Sequence, residues 1–217
     1  MTRMVTIGAA QTGPIQRSDT RAEVVERLIA LLRQGAAAGC DLVVFPELTL
    51  TTFFPRWFVE DRAEFDHFFE TEMPGPETQP LFDEAVRLQV GFHLGYAELT
   101  PDGHHYNTAI LVEPTGQIVA RYRKVHLPGH EAHEPWRAFQ HLERYYFEAG
   151  PSFDVHRAFG GLMGMAICND RRWPETYRVL GLQGCEMALI GYNTPTHYAP
   201  DPSQDRLQGF HNHLVLQ

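Results

Sequence analysis

The sequence predicts an α/β fold in which helices cover a face of a β-sheet. Short apolar runs without alternating polar residues, such as 41–46 (DLVVFP) and 162–167 (LMGMAI), are typical of strands buried on both faces. These runs alternate along the chain with stretches in which apolar residues recur at helical spacing. Strands that alternate with helices indicate a sheet packed against helical layers.

The first half of the chain is predicted to begin with a strand over residues 4–10 and a helix after it. Thr20, with Glu23 three positions later, has the pattern of a capping box, and Gly39 ends the helix. The next predicted elements are a strand at 41–46, a helix at 78–89, a strand at 90–97, and a hairpin of strands 106–112 and 117–122.

The second half continues the alternation. The predicted elements are a strand at 162–167, a helix begun by Pro174 and ended by Gly184, a strand at 187–191 and a helix over 203–217. No linker or repeat divides the chain, so we predict one domain over residues 1–217. Because the chain stops in or just after an apolar-striped helix, we expect the α/β layers to be incomplete at the C-terminus.

Composition excludes several classes of protein. A 217-residue chain with 43% hydrophobic and 21% charged residues is typical of a folded globular protein. Its net charge of −9 disfavours non-specific binding to nucleic acid or anionic lipid. It has no apolar run near the ~20 residues that span a bilayer and no signal-peptide pattern. Three cysteines without a CxxC pair favour a reducing, cytoplasmic location.

Three reactive side chains follow predicted strands. Glu47 comes after DLVVFP, Lys124 after ARYR, and Cys168 directly after LMGMAI. Ligands of open α/β sheets bind at the carboxyl ends of strands, where these groups could act as base, oxyanion stabiliser and nucleophile. The residue types alone leave simpler alternatives open: an inert core thiol, a solvated lysine and a surface carboxylate.

The neighbours of Cys168 favour the reactive interpretation. Arg171 and Arg172 follow it, and a proline-initiated helix begins shortly afterwards. Arginine charges and a helix N-terminus both favour a thiolate, so we expect a thiol with a lowered pKa. Cys40 and Cys185 have no such neighbours and are predicted to be structural.

Metal and nucleotide chemistry have little support in the sequence. Twelve histidines are present, but there is no HExxH helix, no zinc-type Cys/His spacing and no GxGxxG. We therefore expect neither a metal nor an organic cofactor. His126 and His141 are predicted to contact substrate or to support the reactive groups.

Several long motifs carry a resemblance to a known family. They are FPELTLTTFFPRW (45–57), TEMPGP (71–76), YRKVHLPGH (122–130), FQHLERYYFE (139–148), CNDRRWPETYRVLGLQG (168–184) and GYNTPTH (191–197). Together they resemble the nitrilase superfamily of carbon-nitrogen hydrolases, and within it most closely the N-carbamoyl-D-amino acid amidohydrolases (D-carbamoylases).

The resemblance implies a four-layer α-β-β-α sandwich, a homo-oligomer (dimer or tetramer) and no cofactor. It also implies that Glu47 is the general base, Lys124 the oxyanion-stabilising lysine and Cys168 the nucleophile. Arg171 and Arg172 match positions that hold a substrate carboxylate. The other matching pocket positions are His126, His141, Glu143, Asn169, Asn193 and Thr194. Members of the family continue beyond the helix where this chain stops, which implies missing C-terminal strands.

The implied reaction is hydrolysis of an N-carbamoyl-D-amino acid, through a carbamoyl-cysteine, to the D-amino acid, ammonia and carbon dioxide. Two alternatives stay open. The first is another hydrolase of the same superfamily, such as an aliphatic amidase or a ureidopropionase. The second is a catalytically inactive fragment that only oligomerises or binds a partner.

Overall fold

Two β-sheets form the centre of the molecule, in a computed structural model that describes residues 3–137, 140–194, 197 and 202–210. The first sheet has the order β1 (Ile7–Ala9), β2 (Leu42–Val44), β3 (Gly91–Leu99), β4 (His105–Val112) and β5 (Ile118–Arg123). The second has the order β6 (Val155–Ala158), β7 (Gly161–Ile167) and β8 (Met187–Gly191). Parallel pairing joins β1 to β2, β2 to β3 and β7 to β8, whereas the other pairs are antiparallel.

The described helices differ greatly in length. They are α1 (Arg21–Ala37), α2 (Arg62–Asp66), α3 (Gln79–Leu88), α4 (Glu143–Tyr146), α5 (Pro174–Leu182) and α6 (Asp205–Phe210). One-turn 3₁₀ helices lie at Phe54–Arg56, Cys168–Arg172 and Pro202–Gln204. Only α1, α3 and α5 are long enough to cover a sheet face.

These elements stack in four layers. Apolar side chains of α1 and α3 pack with Phe92, Leu94 and Ile110 on one face of the first sheet. The other face of that sheet packs against the second sheet in a separate core. On the outer side, α5 approaches so closely that a Cβ on Gly164 would lie 2.7 Å from Leu180. The expected α-β-β-α sandwich is therefore confirmed.

A third core is built mainly from aromatic rings. Phe54 stacks on Phe68 with ring centroids 4.6 Å apart and meets Tyr146 edge-on at 4.9 Å. The Tyr146 hydroxyl donates to the carbonyl oxygen of Trp57 at 2.6 Å and accepts from the amide of Val59 at 3.0 Å. This core holds α4, and with it Glu143, against the first sheet.

Most predicted elements are present at nearly the predicted bounds. The capping box of α1 is confirmed, since the Thr20 side chain accepts from the Glu23 amide while the Glu23 carboxylate accepts from the Thr20 amide. The predicted helix over 203–217 is described only as α6, and 211–217 lie outside the described residues. Sequence reasoning missed α2, α4 and β6, because segments of four or five residues are too short to show a periodicity.

Candidate active site

The three predicted reactive residues converge at the gap between the two sheets. Glu47 lies in a turn after β2, where the next residue, Leu48, has a φ of 46°. Lys124 directly follows β5, so these two residues come from the first sheet. Cys168 directly follows β7 of the second sheet. The site therefore forms only when the two sheets pack face to face.

Lys124 lies between two carboxylates. Its Nζ donates to Glu47 Oε1 at 2.7 Å and to Glu143 Oε2 at 2.6 Å, and all three side chains have 0% exposure. Burial by itself lowers the pKa of Lys124, but the charges of Glu143 and Glu47 outweigh it and hold that pKa above its ordinary value. The side chain is thus an ammonium at neutral pH inside the protein.

The carboxylate of Glu47 has one occupied oxygen and one available oxygen. Oε1 accepts from Lys124 and also from Nδ2 of Asn107 at 2.8 Å. Oε2 is buried and has no hydrogen-bond partner among the described residues. The main-chain carbonyl of Glu47 accepts from Nδ2 of Asn193 at 2.6 Å. Oε2 is therefore the carboxylate oxygen of Glu47 that no described donor occupies.

Cys168 is nearly buried, with 8% exposure, and its φ of 44° lies in the left-handed region. Its Sγ lies 3.6 Å from Oγ1 of Thr194 and 3.7 Å from Nη1 of Arg171. Burial and the charge of Glu47 raise the pKa of the thiol to about 11, although Lys124 and Arg171 act in the opposite direction. The prediction of a lowered thiol pKa is therefore wrong, because burial outweighs the nearby cations.

The two adjacent arginines occupy different surroundings. Arg171 has 0% exposure and donates through Nη1 to the carbonyl oxygen of Cys168 at 2.6 Å and through Nη2 to Thr194 Oγ1 at 3.0 Å. Its guanidinium also lies 4.4 Å from the ring centroid of Tyr192. Arg172 is only half-buried. Arg171 thus contacts the turn that contains Cys168. That either arginine binds a substrate carboxylate stays a prediction.

Asp170 connects the nucleophile's turn to the segment that carries Lys124. Its buried carboxylate accepts from the Ile167 amide at 2.9 Å, the Tyr122 hydroxyl at 2.7 Å and the His126 amide at 2.9 Å. The His126 ring contacts it too, with Nδ1 at 2.9 Å. Nδ2 of Asn169 donates to the carbonyl oxygen of His126 at 3.1 Å. His126 and Asn169 therefore support the reactive groups here.

Glu143 and His141 form the far side of the charged cluster. Nε2 of His141 lies 3.0 Å from Glu143 Oε1, while the other oxygen of that carboxylate contacts Lys124. Burial opposes ionisation of Glu143, but Lys124 and His141 hold the pKa of its carboxyl below its usual range. The structure thus places Glu143 against the lysine, as a second anion of the reactive cluster.

Sequence reasoning missed three buried residues of the site: Asn107, Tyr122 and Asp170. For Asn107 a signal was present, since an amide within the largely apolar strand 106–112 needs a buried partner. Asp170 stands between Asn169 and Arg171, where a carboxylate is unremarkable in sequence. Two of its partners, Tyr122 and His126, are distant along the chain, so only the folded structure shows these contacts.

A small cavity adjoins the Glu47 side of the site. It measures about 210 Å³ and includes Phe53, Arg56, Trp57 and Asn193 in its lining. Within the described ranges, no three His, Cys, Asp or Glu side chains are grouped so that they could hold a metal ion. No described helix has both the length and the apolar character needed to cross a bilayer.

A nucleophilic thiol, a carboxylate with an available oxygen and a fixed ammonium are the parts of a thiol hydrolase that attacks a carbonyl carbon. The sequence agrees, because the carbon-nitrogen hydrolase family profile matches residues 6–212. The chain belongs to the carbon-nitrogen hydrolase family.

Comparisons with known proteins extend this result. The chain is 26% identical over 206 residues to an N-carbamoylputrescine amidase of Solanum tuberosum, covering 94% of this chain and 62% of the relative. It is 32% identical over 164 residues to an (R)-stereoselective amidase of Pseudomonas sp, covering 76% of this chain and 52% of the relative. The chain therefore spans less than two thirds of the length of either relative.

A solved structure shows the same fold. A carbon-nitrogen hydrolase from Helicobacter pylori G27 superposes with a TM-score of 0.78 at 22% identity, covering 98% of this chain and 68% of the other.

Proposed function

We propose that this protein, with Cys168 as nucleophile, hydrolyses the carbamoyl C–N bond of N-carbamoyl-D-amino acids. The observation that carries the proposal is the buried ion triple of Glu47, Lys124 and Glu143 beside a thiol in a left-handed turn. In this proposal Glu47 is the base, Lys124 the oxyanion stabiliser and Cys168 the nucleophile, and none of these roles requires a metal.

The reaction begins when Oε2 of Glu47 takes the thiol proton and Sγ attacks the ureido carbon. Lys124 and the main-chain N–H of Asn169 stabilise the negative charge that develops on the carbonyl oxygen; one such donor is worth ~3 kcal/mol. Glu47 then protonates the departing amine of the amino acid, which leaves an S-carbamoyl cysteine. A water activated by Glu47 hydrolyses it to carbamic acid, which decomposes to ammonia and carbon dioxide.

The substrate's carboxylate is proposed to meet Arg172. A guanidinium binds a carboxylate through two parallel hydrogen bonds, and this one is half-buried four residues after the nucleophile. Selectivity for the D enantiomer rests on the resemblance of the motifs around Cys168 and Asn193 to those of D-carbamoylases.

The test is ammonia release from N-carbamoyl-D-phenylglycine and from its L enantiomer, with Cys168→Ala as the control. We expect turnover of the D enantiomer that is lost in the variant, because no other described thiol lies at the site. Equal turnover of both enantiomers would contradict the D assignment. Turnover that survives in Cys168→Ala would contradict the mechanism.

An amidase acting on uncharged amides is the second candidate. The complete burial of Arg171 favours it, since of the two adjacent arginines Arg172 alone then remains partly accessible to a carboxylate. In the same assay, Arg172→Ala should raise KM for carboxylated substrates far more than for a simple amide. Equal losses on both substrates would instead favour the amidase.

We also propose a cytoplasmic homo-oligomer assembled through the outer helical layer. Leu182, at the end of α5, is 81% exposed, and Val179 one turn earlier is 38% exposed. The three free cysteines are consistent with a reducing compartment. Size-exclusion chromatography and a melting curve test this proposal. A discrete oligomer with a cooperative melt would support an intact fold, and a broad melt with elution in the void volume would favour a broken one.

A further inference from the structure

We infer that Asn107 is a positioning residue that leaves Glu47 only one oxygen, Oε2, with which to accept a proton. The inference rests on the thiol-hydrolase chemistry proposed above. Asn107 lies on β4, on the face of the first sheet that meets the second sheet, and it has 0% exposure. Its neighbours on that face, Ala109 and Leu111, are apolar. A buried amide among them needs a specific role to offset its desolvation.

Asn107 contacts two of the three reactive residues. Its Nδ2 donates to Glu47 Oε1 at 2.8 Å across 60 positions of sequence. Its main-chain carbonyl accepts from the amide of Lys124 at 2.8 Å. A single residue therefore sets the position of the base relative to the lysine, and does so with both its side chain and its main chain.

The hydrogen bonds decide where a proton can bind. Oε1 of Glu47 receives two donors, from Asn107 and Lys124, so protonation there would have to displace one of them. Oε2 receives no donor among the described residues. A 180° flip of the Asn107 amide would be unfavourable, because its Oδ1 would then face the carboxylate oxygen as a second acceptor. The proton taken from Cys168 is thereby directed to Oε2.

Two variants of Asn107 and one matched control test this role. Asn107→Leu removes the donor but keeps the number and branching of the side-chain heavy atoms, and Asn107→Asp replaces the amide with a second carboxylate. The control is Thr108→Val, at the next position of β4. Thr108 is equally buried, but its hydroxyl donates to Glu98 at 2.7 Å, away from the reactive cluster.

We expect Asn107→Leu to lower kcat by about 10- to 100-fold with little change in KM, since a hydrogen bond to a charged group is lost. In Asn107→Asp two carboxylates share a proton, so the acid limb of the pH–rate profile should move up by about one pH unit or more. Where both carboxylates are ionised, the added negative charge should also move the pH profile of Cys168 inactivation by iodoacetamide to higher pH. Thr108→Val should lower the melting temperature but leave the pH–rate profile and the pH profile of alkylation unchanged.

The inference is overturned if Asn107→Asp melts cooperatively and its two pH profiles coincide with those of the wild type. It is also overturned if Asn107→Leu loses activity only in proportion to its loss of folded protein, as Thr108→Val would. Alkylation by iodoacetamide needs no turnover. If no amide or carbamoyl substrate is hydrolysed, the proposed function fails while the alkylation profile still tests Asn107.

Discussion

At the scale of single residues, Cys168 carries a thiol that is protonated at rest. Its thiol has a pKa raised to about 11, with burial and Glu47 as the largest causes. At neutral pH the thiolate is therefore scarce, and in the proposed mechanism it forms when Glu47 removes the proton in the presence of substrate. The carboxylate that suppresses the free thiolate is thus also the proposed base that generates it.

Replacement of Glu47 should separate these two effects. In Glu47→Gln the negative charge beside the thiol is gone while Lys124 and Arg171 stay positive, so we expect the thiol pKa to fall below 11. Iodoacetamide should then alkylate Cys168 faster at pH 8, while turnover drops by about 10²- to 10⁴-fold. Alkylation rates from pH 6 to pH 10 with a parallel ammonia assay measure both.

The control is Glu175→Gln, at an exposed carboxylate in the first turn of α5. It should leave the alkylation profile unchanged. A thiol pKa that rises in Glu47→Gln would contradict the electrostatic account of Cys168.

At the scale of elements, the turn that carries Glu47 fits tightly between two strands. A Cβ on Gly95 of β3 would lie 2.6 Å from the carbonyl oxygen of Pro46 and 2.9 Å from the Cα of Glu47. A Cβ on Gly191, at the end of β8, would lie 3.0 Å from the carbonyl oxygen of Phe45. Both glycines are needed because the backbone of this turn approaches each strand more closely than a side chain permits.

A methyl group at Gly95 should therefore displace the catalytic base. We expect Gly95→Ala to destabilise the fold by roughly 1–3 kcal/mol and to lower kcat in the fraction that remains folded. Gly181→Ala is the matched control, since a Cβ at this exposed position of α5 meets nothing within 4 Å. That change should stabilise by about 0.4–1 kcal/mol. Urea unfolding and kcat, measured on the same preparations, test this prediction. Full activity in Gly95→Ala would contradict the close packing of Gly95 against the turn that carries Glu47.

At the scale of the whole molecule, the packing of the two sheets both creates the active site and buries polar groups. Glu47 and Lys124 come from the first sheet and Cys168 from the second. The same inter-sheet layer contains His93 of β3, which has 0% exposure and places Nδ1 3.3 Å from the carbonyl oxygen of Phe45. Burial lowers the pKa of His93 to about 4.

This histidine should make the fold sensitive to acid. The unfolded chain binds the proton near pH 6.5 and the folded chain only near pH 4, so stability falls as the pH decreases between these values. From pH 7 to pH 5 the loss from this group is about 2 kcal/mol. His93→Gln is uncharged at every pH and should lose less stability over that interval. Urea unfolding at both pH values measures the difference, and identical losses would contradict the assignment.

The sequence by itself predicted the longer elements in their order and the three side chains that the fold brings together. Apolar runs and helical spacing are local properties, so β2, β7 and α1 could be predicted from neighbouring residues alone. Their strand-end positions and the long motifs around them identified Glu47 and Cys168. Short elements such as β6 carry too few residues for such a pattern.

Only the tertiary structure decided how these residues work. The pKa of Cys168 depends on burial and on Glu47, which is distant in sequence, so the local arginines gave the wrong sign. Asn107 meets Glu47 across 60 residues, and Tyr122 meets Asp170 across 48. The physical reason is that desolvation and charge–charge energies depend on distances in space, and these exist only after the two sheets have packed together.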